Sequence, residues 1–491
     1  MYKLFNSITN QDYKIWDGDE LNWYCCGPTI YNDSHLGHAR TYIIFDSIKK
    51  YLKSQNCSIT YGMNITDIDD KIVKKVHDKY NNLNNLEKEK NNVQDIYSKF
   101  IKDQENSFWN DMESLNIEKP DKIIRVSDVI PDIIKFIEKL IEDNYAYESN
   151  GSVYFSMDNY FKKYKTIMSN ANDGDSCVKN NFLNDKKNQN DFALWKGEKK
   201  TDISWDSPWG YGRPGWHIEC SVMMDKMFGK KIDIHSGGID LKFPHHHNEY
   251  IQTTAFYGQE NLIKCFVHSG HLHIDNEKMS QSLGNFITIK EFLKKYDANT
   301  LRILFLMSNW RETFNLNEEN IKNAKSICDN IFNFMINLDY YEKVLKDYKK
   351  EIYDRKYEEF QRRIYVSLDD NFKSYEVFKI LSELFNQVNI DFNEKNLVLE
   401  QIHDVRYTMN LIINVFGLKF NFKNIKSDNI LKHIESIISI RNDIRDIAKI
   451  EKDKETKKKL FLITDKIRDK ILPDLGIRLE DTNGIDKWSF I

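Results

Sequence analysis

Three histidines in a row, followed by Asn and Glu, form the densest group of metal-ligating side chains in the chain: "FPHHHNEY", residues 243–250. Neighbouring residues on a helix sit about 100° apart, so three consecutive imidazoles cannot face one ion, whereas residues four apart share a face. That rule selects His245 with Glu249 and turns His246 and His247 elsewhere. Two ligands do not complete a zinc shell, which takes four donors from Cys, His, Asp or Glu. On spacing alone the group is either half of a metal site or a set of satisfied core histidines. Two cysteines could supply the missing donors: Cys26, ending the apolar run "NWYCCG", and Cys220, in "GRPGWHIECS". Their separations are long-range, so no local finger pattern selects them. A further pair, His35 and His38 in "HLGH", lies where a strand gives way to a helix. A helix N-terminus offers unpaired N–H groups and partial positive charge, which suit phosphate, and Gly37 leaves room for close approach. The polar stretch "KMSQSLGNF", residues 278–286, reads as a flexible loop, where Lys278 could neutralise phosphate charge in a transition state.

These residues need a scaffold, and the periodicities supply one. "NWYCCG" reads as a strand, "HLGHARTYIIFDSIKKYLKSQ" as a helix and "SITYGMNIT" as a second strand, which together form a parallel unit with a right-handed crossover. "KKIDIHSGG" and "IKCFVHSG" read as later strands ending in Gly, followed by the helical "IKEFLKKYDANTLRILFLM". The expected architecture is therefore an α/β, Rossmann-like catalytic domain over 1–312. It carries an insertion at about 113–203 that holds an amphipathic helix, "VIPDIIKFIEKLIEDN", and a hairpin, "YAYESNGSVYFSM". Beyond 313 the apolar periods are helical and predict a bundle over 313–424, with a smaller unit at 425–491. The lysine-rich "KIEKDKETKKKL" is a solvated helix face or an RNA-facing one.

At 491 residues the chain holds several domains, and its 41% hydrophobic and 13% aromatic content is ample for packed cores. A formal net charge of −4 excludes a global basic footprint, so any nucleic acid must be met at local patches. Seven scattered cysteines make no disulfide framework and fit a reducing cytoplasm. The N-terminal "MYKLFNSITNQDYKIW" is no secretory signal, and no apolar run is long enough for a membrane span.

The order of the motifs adds more than any one of them. "CGPTIYNDSHLGHAR", "NITDIDDK", "DFALWK", "SPWGYGRPGWHIECS", "HSGGIDLKFPHHHNE", "KMSQSLGNF" and a final "GIRLEDTNGIDKW" resemble the cysteinyl-tRNA synthetases, a family of class I aminoacyl-tRNA synthetases. The resemblance covers nearly the whole chain. It implies one Zn²⁺ held by Cys26, Cys220, His245 and Glu249, with Thr66 and Trp216 lining the amino-acid pocket. It implies ATP with Mg²⁺, held by His35, Gly37, His38, Gly238, Asp240, His268 and the loop residues Lys278, Ser280, Gln281 and Ser282. The partners implied are L-cysteine, ATP and tRNA(Cys), with Arg441, Arg445 and Asp481 near the anticodon in a C-terminal anticodon-binding domain, and the enzyme is expected to be a cytoplasmic monomer. One departure stands out: the family loop reads KMSKS, and here Gln281 replaces its second lysine. Activity is expected to survive this change. The rival readings are a same-fold cysteine ligase acting on an amino sugar and a non-activating RNA-binding paralogue.

Overall fold

The computed structural model describes the chain outside residues 85–87, 89–90, 166–184, 199–202, 280–284, 347–353, 423–427, 475–476, 483–484 and 491, and outside the side chains of 278, 428–433, 435, 480–482 and 485–490. The chain divides into two compact units: one of residues 1–321 with 365–377 and 415–417, the other of 322–364, 378–414 and 418–491.

The first unit is built on a five-stranded parallel sheet. Its strands, in chain order, are β1 (Glu20–Cys25), β2 (Ser58–Ile65), β3 (Lys122–Arg125), β4 (Ile232–Gly238) and β5 (Ile263–Ser269). Across the sheet the order is β5-β4-β1-β2-β3. Helix α1 (Leu36–Ser54) makes the expected crossover from β1 to β2. It is apolar on most sides, and Ile43, Ile44, Phe45 and Ile48 are all buried, so it packs as an interior helix. The chain leaves β1 towards β2 on one side and returns through β4 and β5 on the other. The crevice between the carboxyl ends of β1 and β4 is therefore the topological switch point, where such sheets bind ligands.

Strand β3 lies inside the stretch that the sequence marks as inserted, so the excursion from the sheet starts after Arg125. The expected amphipathic helix spans Ile130–Glu142. The expected hairpin pairs Ala146–Ser149 with Ser152–Phe155, and Asn150 and Gly151 turn it with positive φ, as a tight hairpin requires. Strands Phe192–Gly197 and Gly212–Pro214 extend it to a four-stranded antiparallel sheet. Helices α2 (Asp70–Asn81), α3 (Trp216–Phe228) and α4 (His247–Tyr257) complete the frame around the crevice.

A buried ionic knot ties α1 to later segments of this unit. Arg302, fully buried, donates to Asp46 at 2.7 Å, to the Leu115 carbonyl at 2.9 Å and to the Phe416 carbonyl at 2.5 Å. Lys50 reaches the same carboxylate at 2.8 Å. Burial alone would raise the Asp46 carboxyl; the surrounding cations hold it below its ordinary value.

The second unit is mostly helical and spans both ranges that the sequence reading separated at 424/425. Arg406 bridges Asp339 at 2.7 Å and Glu342 at 2.9 Å, and Tyr341 stacks on Phe392 at 3.8 Å between ring centres. Towards its end, helices Asp428–Ile450 and Lys454–Lys466 and the hairpin Ile477–Thr482/Ile485–Phe490 enclose a small core that includes Ile434, Ile438, Ile467, Leu472 and Ile477. Among the described residues, no helix is long and apolar enough to cross a membrane.

Candidate active site

Four donors meet at the floor of the crevice. Cys26 follows β1 directly, Cys220 projects from α3, His245 precedes α4 and Glu249 lies in its first turn. His245 Nε2 lies 2.6 Å from Glu249 Oε1, the four-residue pairing that helical spacing selects. Cys26 Sγ stands 3.9 Å from Cys220 Sγ and 3.8 Å from Glu249 Oε1. A sulfur–sulfur gap of 3.9 Å is far beyond a disulfide bond of about 2.05 Å, and both thiols are free. All four ligand atoms lie within 4.8 Å of one another, and all four residues are buried. Two thiolates on one tetrahedral zinc sit about 3.8 Å apart, close to the spacing found here.

The electrostatics of this nest favour a cation. The Cys220 thiol is pulled down to about 6 by its hydrogen bond with Cys26, against its burial. Burial and the neighbouring Cys220 push the Cys26 thiol well up. Burial would raise Glu249, but His245 and His235 overcome it and bring the carboxyl down to about 2. A buried carboxylate beside a readily ionised thiol is stable only with positive charge at hand. The donor set of two sulfurs, one imidazole and one carboxylate suits zinc.

A second group shares two of these donors. His246 Nε2 lies 3.3 Å from Cys26 Sγ, and His235 Nε2 hydrogen-bonds the other Glu249 oxygen. Cys26, His235, His246 and Glu249 thus form an overlapping tetrad. Helical spacing turned His246 away from the site, but its Nε2 reaches the same Cys26 sulfur, so His246 is not remote from the nest. His246 Nδ1 continues to His268 Nε2 at 2.7 Å, and His268 Nδ1 to Ser7 Oγ. His268 is therefore buried behind the nest and absent from the cavity wall. Its expected adenine contact has no support in this placement, because burial and the His246 and Ser7 bonds occupy the ring. Sequence reasoning also missed His235; its position in "DIHSGG", inward on a strand with both faces covered, was the available signal.

Above the floor opens a cavity of about 400 Å³, lined by Cys26, Cys220 and His245 from the nest but by neither His235 nor His246. Thr66 and Trp216 both line it. Asn64 donates to Thr66 Oγ1 at 3.1 Å and Trp216 stacks on His245 at 4.4 Å. Gly27 allows the β1 turn to pass β2: a Cβ there would stand 1.7 Å from the Asn64 carbonyl oxygen.

His35, Gly37 and His38 form part of the opposite wall, with Gly238 and Asp240. His35 caps α1, and its Nδ1 accepts from Gly37 N at 3.1 Å and His38 N at 3.4 Å. His38 Nδ1 in turn accepts from His35 N at 3.4 Å. With Nδ1 accepting, each neutral ring carries its proton on Nε2. Both rings are neutral at pH 7: burial brings His35 down to about 4 and His38 well below its ordinary value. The expected free N–H groups are not there. Leu36 N donates to the Ile287 carbonyl at 3.1 Å and Ala39 N to the His35 carbonyl at 3.1 Å, so the whole first turn is satisfied internally. An anion at this wall meets imidazole Nε2–H groups instead of backbone amides. The segment after the 278–286 loop is stitched here too, since Ile289 N donates to the Ser34 carbonyl at 3.0 Å. Lys278 ends a short strand; Ser280, Gln281 and Ser282 lie outside the described residues.

In the second unit, Arg441 is fully buried, with Nε bonded to the Thr464 carbonyl at 3.3 Å. It fastens helix Asp428–Ile450 to helix Lys454–Lys466 and is not a surface contact for RNA; shared spacing with Arg445 did not reveal which side of the helix was inward. Arg445 is half-buried, and Asp481 lies on the C-terminal hairpin.

Comparison with known proteins follows the same lines. The family model "tRNA synthetases class I (C) catalytic domain" matches residues 13–326. The cytoplasmic cysteine–tRNA ligase of Dictyostelium discoideum is 35% identical over 510 residues, covering 96% of this chain and 74% of that protein. Among solved structures, the methionyl-tRNA synthetase of Mycobacterium tuberculosis with methionyl-adenylate is similar at a TM-score of 0.56 and 12% identity, covering 81% of this chain and 89% of that one. The leucyl enzyme of Agrobacterium radiobacter K84 in its ternary complex gives 0.58 and 8%, covering 82% and 84%. At such identities these structures speak for the fold alone.

Proposed function

This chain belongs to the cysteine–tRNA ligases of the class I aminoacyl-tRNA synthetases, and we propose that it joins L-cysteine to tRNA(Cys) at the expense of ATP, as a monomer in the cytoplasm. The observation that carries the reading is the convergence of Cys26, Cys220 and His245 on the floor of a cavity whose wall holds His35 and His38.

In the first step an oxygen of the cysteine carboxylate bonds to the α-phosphorus of ATP. The bond from that phosphorus to the bridging oxygen of the β-phosphate breaks, and pyrophosphate leaves with the electron pair. In the second step a ribose hydroxyl of the terminal tRNA adenosine attacks the acyl carbon and AMP leaves. Neither step needs a protein nucleophile; positioning and electrostatics do the work. His35 and His38 donate Nε2–H to the phosphates, Asp240 and Gly238 meet the ribose, and the loop with Lys278, Ser280, Gln281 and Ser282 covers the phosphate chain, which travels with Mg²⁺. Thr66 and Trp216 flank the amino acid. Cys26, Cys220, His245 and Glu249 would hold Zn²⁺, a Lewis acid that would favour the soft thiolate of cysteine over the serine hydroxyl. Rejecting serine about 10⁴-fold takes about 5.5 kcal/mol, more than the few kcal/mol that ordinary contacts supply for so small a difference. Arg445 and Asp481 are the remaining candidates for the anticodon.

A likeness to a cysteine–tRNA ligase that spans 96% of the chain, helical unit included, leaves the amino-sugar ligase and the non-activating paralogue unfavoured. Cysteine-dependent ATP–pyrophosphate exchange, with serine as control, tests the proposal. Exchange with cysteine alone is expected; none from folded, zinc-loaded protein would overturn it.

A further inference from the structure

Among the described residues, the cavity wall carries little positive charge for a site that must hold a polyphosphate. Among the described residues that line it, Lys71 is the one lysine or arginine. His35 and His38 are neutral at pH 7, held so first by burial. Asp240 adds a carboxylate to the same wall. In sequence, Gln281 stands where the family loop has its second lysine.

Among the described residues, the Lys71 ammonium has no ion-pair partner. It lies in the first turn of α2, at the positive end of the helix dipole, where a lysine works against the helix. Asp69 caps that helix through the Lys71 backbone N–H at 2.8 Å, and Asp70 is engaged by Lys196 at 3.2 Å and Arg213 at 3.1 Å. Asp33, the other acid nearby on the cavity wall, is held by Lys290 at 2.9 Å. The Lys71 ammonium instead rests 4.8 Å from the centre of the Tyr31 ring, an aromatic pedestal at the cavity edge. Lys75, one turn on, is spent on the Tyr31 carbonyl at 2.9 Å and on Asn32, so it cannot take this role. Neither helix stability nor ion pairing accounts for a lysine here.

Resting on the ligase reading above, we propose that Lys71 is a catalytic residue that binds the β- and γ-phosphates of ATP, a contribution that weighs more where the loop carries the neutral Gln281. As the carboxylate oxygen of cysteine bonds to the α-phosphorus and the α–β bridge breaks, negative charge gathers on the departing pyrophosphate. An ammonium contact there strengthens as that charge grows and so lowers the barrier.

The test is a double-mutant cycle on full-length, zinc-loaded enzyme: unaltered, Lys71→Gln, Gln281→Lys and both together, read by ATP–pyrophosphate exchange and by the KM for pyrophosphate in adenylate breakdown. Lys71→Gln is expected to slow exchange about 10- to 100-fold and to raise the KM for pyrophosphate, with an unchanged melting temperature. In the Gln281→Lys background the same change should cost under about threefold, because a restored loop cation takes over. Lys71→Arg should retain most activity. Equal losses in both backgrounds would overturn the inference. So would unchanged exchange with a raised KM for tRNA, which would assign Lys71 to the phosphates of the acceptor end. The unaltered enzyme separates the two claims. No exchange there overturns the ligase reading and this inference with it; exchange there with an unmoved KM in Lys71→Gln overturns this inference alone.

Discussion

Replacing Cys220 by alanine should cost far more metal affinity than replacing His246, although both side chains reach Cys26. Two donor sets overlap at this point and share Cys26 and Glu249. Access separates them: Cys220 and His245 line the cavity, whereas His235 and His246 are fully buried behind it. Of the two sets, the outer one would hold a metal facing the cavity through which a thiol would arrive. Four-ligand zinc sites bind with about 10–16 kcal/mol, so each ligand carries about 3 kcal/mol, or 100- to 1,000-fold in affinity. A residue that only orients a ligand, as His235 orients Glu249, costs about 10- to 100-fold. Cys220→Ala and His245→Ala should therefore weaken zinc by about 10³-fold, and His246→Gln and His235→Gln by about tenfold. Competition against a chromophoric chelator, on proteins of unchanged circular dichroism, measures this directly. Cobalt-loaded protein gives a second reading, in which cysteine but not serine should intensify the thiolate-to-metal absorption. If His246→Gln matches or exceeds Cys220→Ala, the ion sits in the inner set and the argument from access is wrong.

Other outcomes follow from the same contacts. Arg302→Met removes the main countercharge of a buried carboxylate and should destabilise the catalytic unit by about 3–5 kcal/mol in urea unfolding; a loss under about 1 kcal/mol would mean that Lys50 suffices. His35 titrates near 4 when folded, below its ordinary 6.5, so between those values the unfolded chain binds more protons. Stability should therefore fall as pH drops through that window, with a shallower fall in His35→Asn; a rise on acidification would contradict the burial of the ring. Arg445→Ala should raise the KM for tRNA(Cys) with its melting temperature unmoved, while Arg441→Ala should lower the melting temperature, and the reverse pattern would return Arg441 to the RNA surface.

How much of this was legible depended on the range of each interaction. Strands β1, β2, β4 and β5 and helix α1 could be read from the sequence because alternation and helical period are local. Strand β3 was not, since "KIIR" is too short to declare a period and was absorbed into the insertion. The His245–Glu249 pair was legible for the same local reason. Cys26 and Cys220, 194 residues apart, are joined by sheet topology, which no spacing rule contains; the family resemblance supplied them.

Three misreadings share one physical cause. A rule about helix faces orders the side chains of a helix relative to one another and says nothing about what approaches from outside. His246 does not share the His245–Glu249 spacing, yet the Cys26 sulfur just after β1 comes within reach of its ring. The first turn of α1 has the expected N–H groups, yet His35 itself and Ile287, far along the chain, consume them. Arg441 and Arg445 sit at four-residue spacing on the stripe marked by buried Ile434, Ile438 and Ala448, so the stripe faces inward at both, completely at Arg441 and partly at Arg445. That apolar series was present in the sequence and carries the information the arginine spacing lacked: where charged and apolar residues share a stripe, burial follows the apolar ones, and the charge must find its partner inside.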